Sequence, residues 1–401
     1  MVAVGVRGTG QPNGAREGWS AQRTDALLGA ALGTLERADH QRWASLYVRG
    51  LIGTRGRKTI SRIAAAGGFG EAAQSLHHFV SKSPWDWGRM RGAAARWLDE
   101  EIAPRAWVVD GLVIPKSGEH SVGVSRGFVP ESGRILNHQS AYGVWLANGA
   151  LSVPVNWELV LRGDWRSDTV KRRKAAVPEH ATRDEPGGVV VRLVEELRDR
   201  WGLPPRPVVM DAGELPVAPL VTALQERGLP FLIGVDPRTP LRDPAPAPAR
   251  GAGRNRVLGA GALVNRFRGL RVAVRWHTPS GGQGASLALR TPVALPDHTP
   301  GAEALVAVGE WRRTRDLSPR VWLSNLTGAD AGASVRLGHL IGQVAEESET
   351  TLVDRGVRDF EGRSYPGWHH HTTLVGLAHA VGALDEGGPF NRAGKVTLRS
   401  A

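Results

Sequence analysis

Two short runs decide how this sequence folds: Ala106-Trp107-Val108-Val109-Asp110 and Pro207-Val208-Val209-Met210-Asp211. Each is an apolar stretch of strand length that closes on one acid, the pattern of a buried strand. The first is followed by further strand-like runs at Ser121 to Val124, Ile135 to Val144 and Ala150 to Leu161, with Asn148-Gly149 as the turn between the last two. The second is followed by a helical pattern from Pro216 to Arg227 and a strand from Phe231 to Val235. Strand, acid, helix, strand is an α/β unit.

Outward from these runs the pattern changes. From Thr24 to Glu101, Leu27, Leu28, Ala31, Leu32 and Leu35, then Trp43, Leu46, Tyr47 and Leu51, recur at helical spacing. Residues 1–20 are polar and glycine-rich and read as a mobile arm. A helix is expected over Val189 to Trp201. Proline and arginine dominate Asp236 to Arg256, a loop with Pro-Ala-Pro-Ala-Pro at Pro244 to Pro248. Val257 to Val308 alternates in short runs such as Leu270 to Trp276 and Ser286 to Leu289, which reads as a β-rich insertion. A strand at Arg320 to Leu326 and helices at Ala333 to Thr350 and Thr372 to Leu384 close the chain. The expected units are an arm (1–20), a helical N-terminal domain (21–104), an α/β domain (105–240 with 318–390) and the insertion (241–317).

The chain has 401 residues; 41% are apolar and 22% charged, the balance of a globular protein. It has no cysteine, which removes disulfides, zinc ribbons, iron–sulfur clusters and thiol nucleophiles. The longest relevant charge-free window, Ser140 to Trp157, is broken by Pro154 and two asparagines, and Arg7 and Arg16 interrupt the first residues, so neither a membrane span nor a signal peptide is expected. A cytoplasmic protein is the default. A net charge of +12 points to a polyanionic partner. The cations cluster at Arg49, Arg55, Arg57, Lys58 and Arg62, and again at Arg166, Lys171, Arg172, Arg173 and Lys174.

Two strand-end aspartates and a later helix bearing Glu346, Glu347 and Glu349 form the constellation of a carboxylate-held divalent-metal site, since Mg²⁺ takes hard oxygen ligands. Pattern alone does not separate this from aspartates that cap helices or turns. His369, His370 and His371 resemble a metal tract, but three consecutive residues cannot face one ion, so they take a structural or DNA-facing role. Glu361 is expected to pair with Arg363 or to cap the next helix.

The run from Val108 through Asp110-Gly111-Leu112, Lys116 and Gly123-Val124-Ser125-Arg126 resembles the first acidic motif of bacterial insertion-sequence transposases of the DDE superfamily. Further matches follow in order: Ser83-Pro84-Trp85-Asp86, Asn137-His138-Gln139, Ala176-Val177-Pro178, Val209-Met210-Asp211, Gly228-Leu229-Pro230, Phe360-Glu361-Gly362-Arg363-Ser364 and Gly367-Trp368-His369-His370-His371. The resemblance implies a ribonuclease H-like mixed sheet flanked by helices, a helical DNA-binding domain before it and the β-rich insertion within it. It implies cutting and joining of double-stranded DNA at element ends with Mg²⁺ or Mn²⁺, by a homodimer on DNA in a nucleoid-associated setting. Asp110 and Asp211 carry over as catalytic metal ligands. The third acid falls on the helix after Arg320 to Leu326: alignment backward from Phe360-Glu361 puts Ala345 there, and a one-residue slip gives Glu346. Arg57, Lys58, Lys116, Arg126, Arg166, Lys171, Arg172, Arg173 and Lys174 are the expected DNA contacts. Gly111 and Leu112 stand where the family usually has a second Asp and a Thr, which opens the alternative of a decayed or co-opted DNA-binding descendant.

Overall fold

The computed structural model of the chain describes residues 13–130, 132–243, 257–277, 283–296, 304–313 and 318–386. Helices α1 (Asn13–Leu32), α2 (Ala38–Gly53), α3 (Ile60–Ala66), α4 (Ala73–Ser81) and α5 (Trp87–Ile102) come first. Asp86 caps α5, accepting a hydrogen bond from Arg89 N at 3.0 Å. Helix α1 takes in Asn13 to Ser20, part of the stretch read as an arm, because Ala15, Arg16 and Glu17 favour the helix; residues 1–12 lie outside the described residues.

Strands β1 (Ala106–Pro115), β2 (Ser125–Val129), β3 (Arg134–Ala147) and β4 (Ser152–Val160) follow, then α6 (Asp164–Ser167), α7 (Thr169–Lys174), α8 (Pro186–Glu195), β5 (Val208–Asp211), α9 (Val217–Glu226) and β6 (Phe231–Val235). The expected strand at Ser121 to Val124 is instead a bend and turn before β2. Its valines are apolar because they are buried, and its carbonyls are satisfied by side chains: Gln139 donates to Val122 O at 2.6 Å and Trp165 to Val124 O at 2.8 Å. Next come β7 (Pro240–Arg242), β8 (Val257–Gly259), α10 (Ala260–Arg266), β9 (Val272–His277), β10 (Gln283–Val293), β11 (Leu305–Trp311), β12 (Arg320–Ser324), α11 (Ala331–Glu347) and α12 (Tyr365–Glu386). The proline run at Pro244 to Pro248 lies outside the described residues.

The main sheet runs β3-β1-β5-β6-β12-β11-β10-β9, with β4 and β2 pairing to successive stretches of β3. β1 pairs antiparallel with β3 and parallel with β5, which pairs parallel with β6. Beyond β6 every pairing is antiparallel, so the stretch expected to form a β-rich insertion lengthens this same sheet through β12. Helix α11 lies across β1, β5, β6 and the antiparallel strands. It can approach closely because Gly338 has no Cβ; one would sit 2.6 Å from the Trp322 ring.

Helix α12 is buried along most of its length, and the N-terminal helices pack around it beside β4. The contact is polar at its centre. Arg91 of α5 donates to Thr373 Oγ1 (2.8 Å), Asn156 Oδ1 (3.1 Å), Trp157 O (2.9 Å), Thr372 Oγ1 (3.0 Å) and His369 Nδ1 (3.2 Å). Because a guanidinium only donates, His369 Nδ1 accepts and the ring proton sits on Nε2, 3.3 Å from Glu158 Oε1. Tyr365 OH donates to the same carboxylate at 2.5 Å and Arg192 to its other oxygen at 2.9 Å. His370 lies between Val80 O (2.8 Å) and Trp85 O (2.9 Å), and His371 bonds Tyr47 OH and Gly356 O, each at 2.9 Å. The three histidines therefore fasten α12 to three different segments.

Burial holds these rings below the usual histidine range: His370 and His371 at about 4, His379 at about 3, and His369 lowered as well. The unfolded chain takes up protons near pH 6.5 that the folded chain refuses until the pH nears 4. Their contribution is thus complete above pH 6.5 and is lost as pH falls toward 4. Denaturation midpoints measured across this window should drop on acidification, by about 1.4 kcal/mol per pH unit for each ring that stays neutral. Arg91→Met should cost about 3–5 kcal/mol, because it leaves the buried acceptors gathered around the guanidinium without a donor; a urea titration at pH 7.5 measures it.

Candidate active site

β1 and β5 place the two acids. Trp107 stands opposite Val208 and Val108 opposite Val209, and the same register carried forward sets Asp110 beside Asp211 on one face of neighbouring parallel strands. Asp110 is not a strand end: β1 continues to Pro115, and it is the pairing with β5 that stops before the acids. Asp211 lies over Gly234, its partner on β6, where a Cβ would fall 1.8 Å from Oδ1. Only glycine leaves that notch open.

Burial lifts the Asp110 carboxyl to about 6; the Ser348 hydroxyl acts against this, and the negative charges of Glu349 and Asp211 add to it. Ser348 Oγ is itself buried and approaches Asp110 without forming a well-shaped hydrogen bond. Asp211 is also raised, by partial desolvation against the sheet although part of its side chain reaches solvent, with Arg320 opposing the shift. Arg320 begins β12 and folds over Trp322, 5.7 Å from the ring centroid; it has no hydrogen bond or ion pair among the described residues. Trp322 stands opposite Gly234, which is opposite Asp211, so Arg320 lies two strands from Asp211 on the same face.

The third acid expected at Glu346 is not brought to Asp110. Glu346 is two residues before Ser348, about 200° around the helix from it, and is exposed. Glu347 faces His379 at 3.6 Å. Ala345, one turn before Ser348, shares its face but has no carboxylate; Glu349, whose charge acts on Asp110, is exposed and held by Arg358 through two contacts of 2.6 and 2.7 Å. Among the described residues no group of three or more His, Asp or Glu is spaced to hold a metal ion.

Most of the expected DNA contacts have other work. Lys58 is buried and donates to Thr54 O, its backbone N–H to Asp359 at 2.8 Å. Arg57 pairs with Glu361, which therefore neither pairs with Arg363 nor caps a helix as expected. Lys116 donates to Phe360 O at 2.7 Å and Arg358 O at 3.3 Å. Arg166 pairs with Glu185, Arg172 donates to Arg166 O, and Lys171 lies 4.5 Å from the Trp165 ring centroid and 4.0 Å from Asp164. Arg126, Arg173 and Lys174 are exposed with no partner among the described residues.

A sheet in which two antiparallel neighbours precede three parallel strands, with acids side by side on the central pair and a helix crossing above them, is a ribonuclease H-like fold. Residues 31–298 match the DDE superfamily endonucleases, and the chain belongs to that family. No curated protein matches it.

Sequence reasoning missed Gly234, Arg320 and Ser348, and it named Glu349 among the acids of its helix without singling it out. A lone glycine inside the apolar run Phe231-Leu232-Ile233-Gly234-Val235 signals a close approach, and Glu349 is four residues from Ala345, hence on its face. Arg320 gave no local signal. Because burial and two neighbouring acids oppose its charge, Asp110 destabilises the fold above pH 6. Asp110→Asn should therefore raise stability at pH 7 by about 1–3 kcal/mol. In denaturant titrations without divalent cations, the gain should vanish as pH falls to about 4.

Proposed function

We propose that this protein is a transposase that cuts and joins DNA strands at the ends of an insertion sequence. The observation that carries this reading is the register that sets Asp110 beside Asp211, each with its carboxyl raised. Two hard oxygen donors crowded together suit Mg²⁺ or Mn²⁺, which binds through one or two carboxylates and completes its shell with water and substrate phosphate. When bound, the ion would acidify the attacking water and offset charge on the leaving oxygen. The water oxygen forms the new bond to phosphorus, the P–O3′ bond breaks, and a 3′-hydroxyl and a 5′-phosphate remain; in joining, that 3′-hydroxyl attacks the phosphorus of a second phosphodiester, whose own P–O3′ bond breaks and releases a 3′-hydroxyl on the target strand.

The chain's own residues position these partners. Gly234 keeps Asp211 down against the sheet, Ser348 faces Asp110, and Arg320, two strands from Asp211 on the same face and stacked over Trp322, offers a guanidinium for a phosphate oxygen. Glu349 is the carboxylate we assign to complete the set, in place of Glu346, once it leaves Arg358. One observation favours the second reading, a binding-only descendant: Ala345 and Ser348 occupy the face turned to Asp110, and the acid nearest them is tied up.

Nicking of supercoiled plasmid carrying the element ends, with Mg²⁺ or Mn²⁺, is the test. Asp110→Asn and Asp211→Asn should abolish it, Glu349→Gln should reduce it at least about tenfold, roughly 1.4 kcal/mol of barrier, and Glu346→Gln should leave it intact. A wild type that binds these ends and never nicks them supports the binding-only reading instead. Affinity should fall steeply with salt, and Arg173→Glu with Lys174→Glu should flatten the log–log slope by about 2 if both cations meet phosphate.

A further inference from the structure

The β2–β3 hairpin exposes an apolar pair that the fold does not use. Phe128 and Ile135 stand opposite each other in the ladder and are 60% and 63% exposed. Leaving such side chains in water forgoes the gain of burying them, and adjacent placement makes them a patch rather than scattered surface residues. Arg126, two residues before Phe128, shares its face of the hairpin. Arg134 precedes Ile135, and both arginines are exposed with no partner among the described residues.

The hairpin extends from the end of the sheet that bears the acids. β1 runs on from Asp110 to Pro115, and β3 continues past it to pair with β2. Gly143 stands opposite Asp110, so residues 143 to 135 of β3 separate the acids from the apolar pair. That is about 26 Å along the strand, or about eight base pairs of duplex.

We propose that this hairpin is a DNA wedge: Phe128 and Ile135 enter a base step of the duplex held at Asp110 and Asp211, and Arg126, on the same face of the hairpin, grips a flanking phosphate. The inference rests on the DNA-cleaving reading above. Apolar side chains inserted between base pairs unstack a step and bend the duplex, and neighbouring cations offset the strain by neutralising phosphates. Duplex DNA fits this surface better than a second copy of the chain does. Two side chains fall far short of the roughly 800 Å² per partner of a stable interface, and across a twofold contact the flanking arginines would face their own kind.

The full chain should be tested on a duplex of about 30 base pairs carrying a dye at each end, reading affinity by anisotropy and bending by energy transfer. Wild type is expected to bind and to raise the transfer. Phe128→Thr with Ile135→Thr, which keeps strand-favouring residues, should melt like wild type and still bind, yet leave the transfer at the value of free DNA. The single variant Ile135→Thr should give an intermediate value. Arg126→Ala should reduce the salt slope by about 1. A double variant that bends DNA as wild type does overturns the wedge and leaves the cleavage reading standing. The wedge also fails if the double variant merely sediments as a smaller species, which would give the patch to self-association. A wild type that does not bind duplex overturns both readings.

Discussion

Arg91 is buried between α5, β4 and α12, and none of its five N–H groups can turn to water. A buried charge is tolerable only when every donor is matched. That demand dictates much of what surrounds it: two threonines one position apart on α12, an asparagine buried on β4, a histidine held in one tautomer, and a glutamate, two residues further along β4, shared by Tyr365 and Arg192. The consequence is a single hydrophobic core running from Leu27 of α1 to Leu384 of α12. Whatever the N-terminal helices bind, they bind as part of the body that holds the acids.

The acidic site sits where the fold is under electrostatic tension. Asp110 and Asp211 share one face with no cation bonded to either among the described residues, and the helix above them changes pitch at Ser348–Leu352 into the wider π form. Such turns often mark functional positions in helices. Of the cations whose neighbours bear on these acids, Arg358 is held by Glu349 and Arg320 lies over the Trp322 ring, opposite Glu310 in the ladder.

What the sequence revealed follows the range of the forces involved. Both acidic strands were legible because an apolar run closing on one acid is a local pattern, and the constant spacing of 101 positions between them is the register of the β1–β5 pair. Ser121 to Val124 misled because alternation reports burial, and a buried turn whose carbonyls are satisfied by side chains alternates as a strand does. The cations misled for a related reason. Composition counts charges, but whether Lys58 or Lys116 meets DNA depends on carbonyls some 240 positions away or on a helix end beside it. The third acid required knowing which face of α11 meets β1, a tertiary fact.

The arrangement of α12 also orders the events of synthesis. Tyr47 and Arg91 finish their bonding on His371 and His369, residues made more than 270 positions later. At about 5–20 residues per second, the first helices wait on the order of tens of seconds with their apolar faces uncovered. A nascent chain can close the β1–β3 hairpin early, but it cannot bury its N-terminal helices until the last helix clears the ribosome. Messages cut short before that helix would yield chains with an open core, which chaperones and proteases recognise, rather than partial DNA-binding fragments.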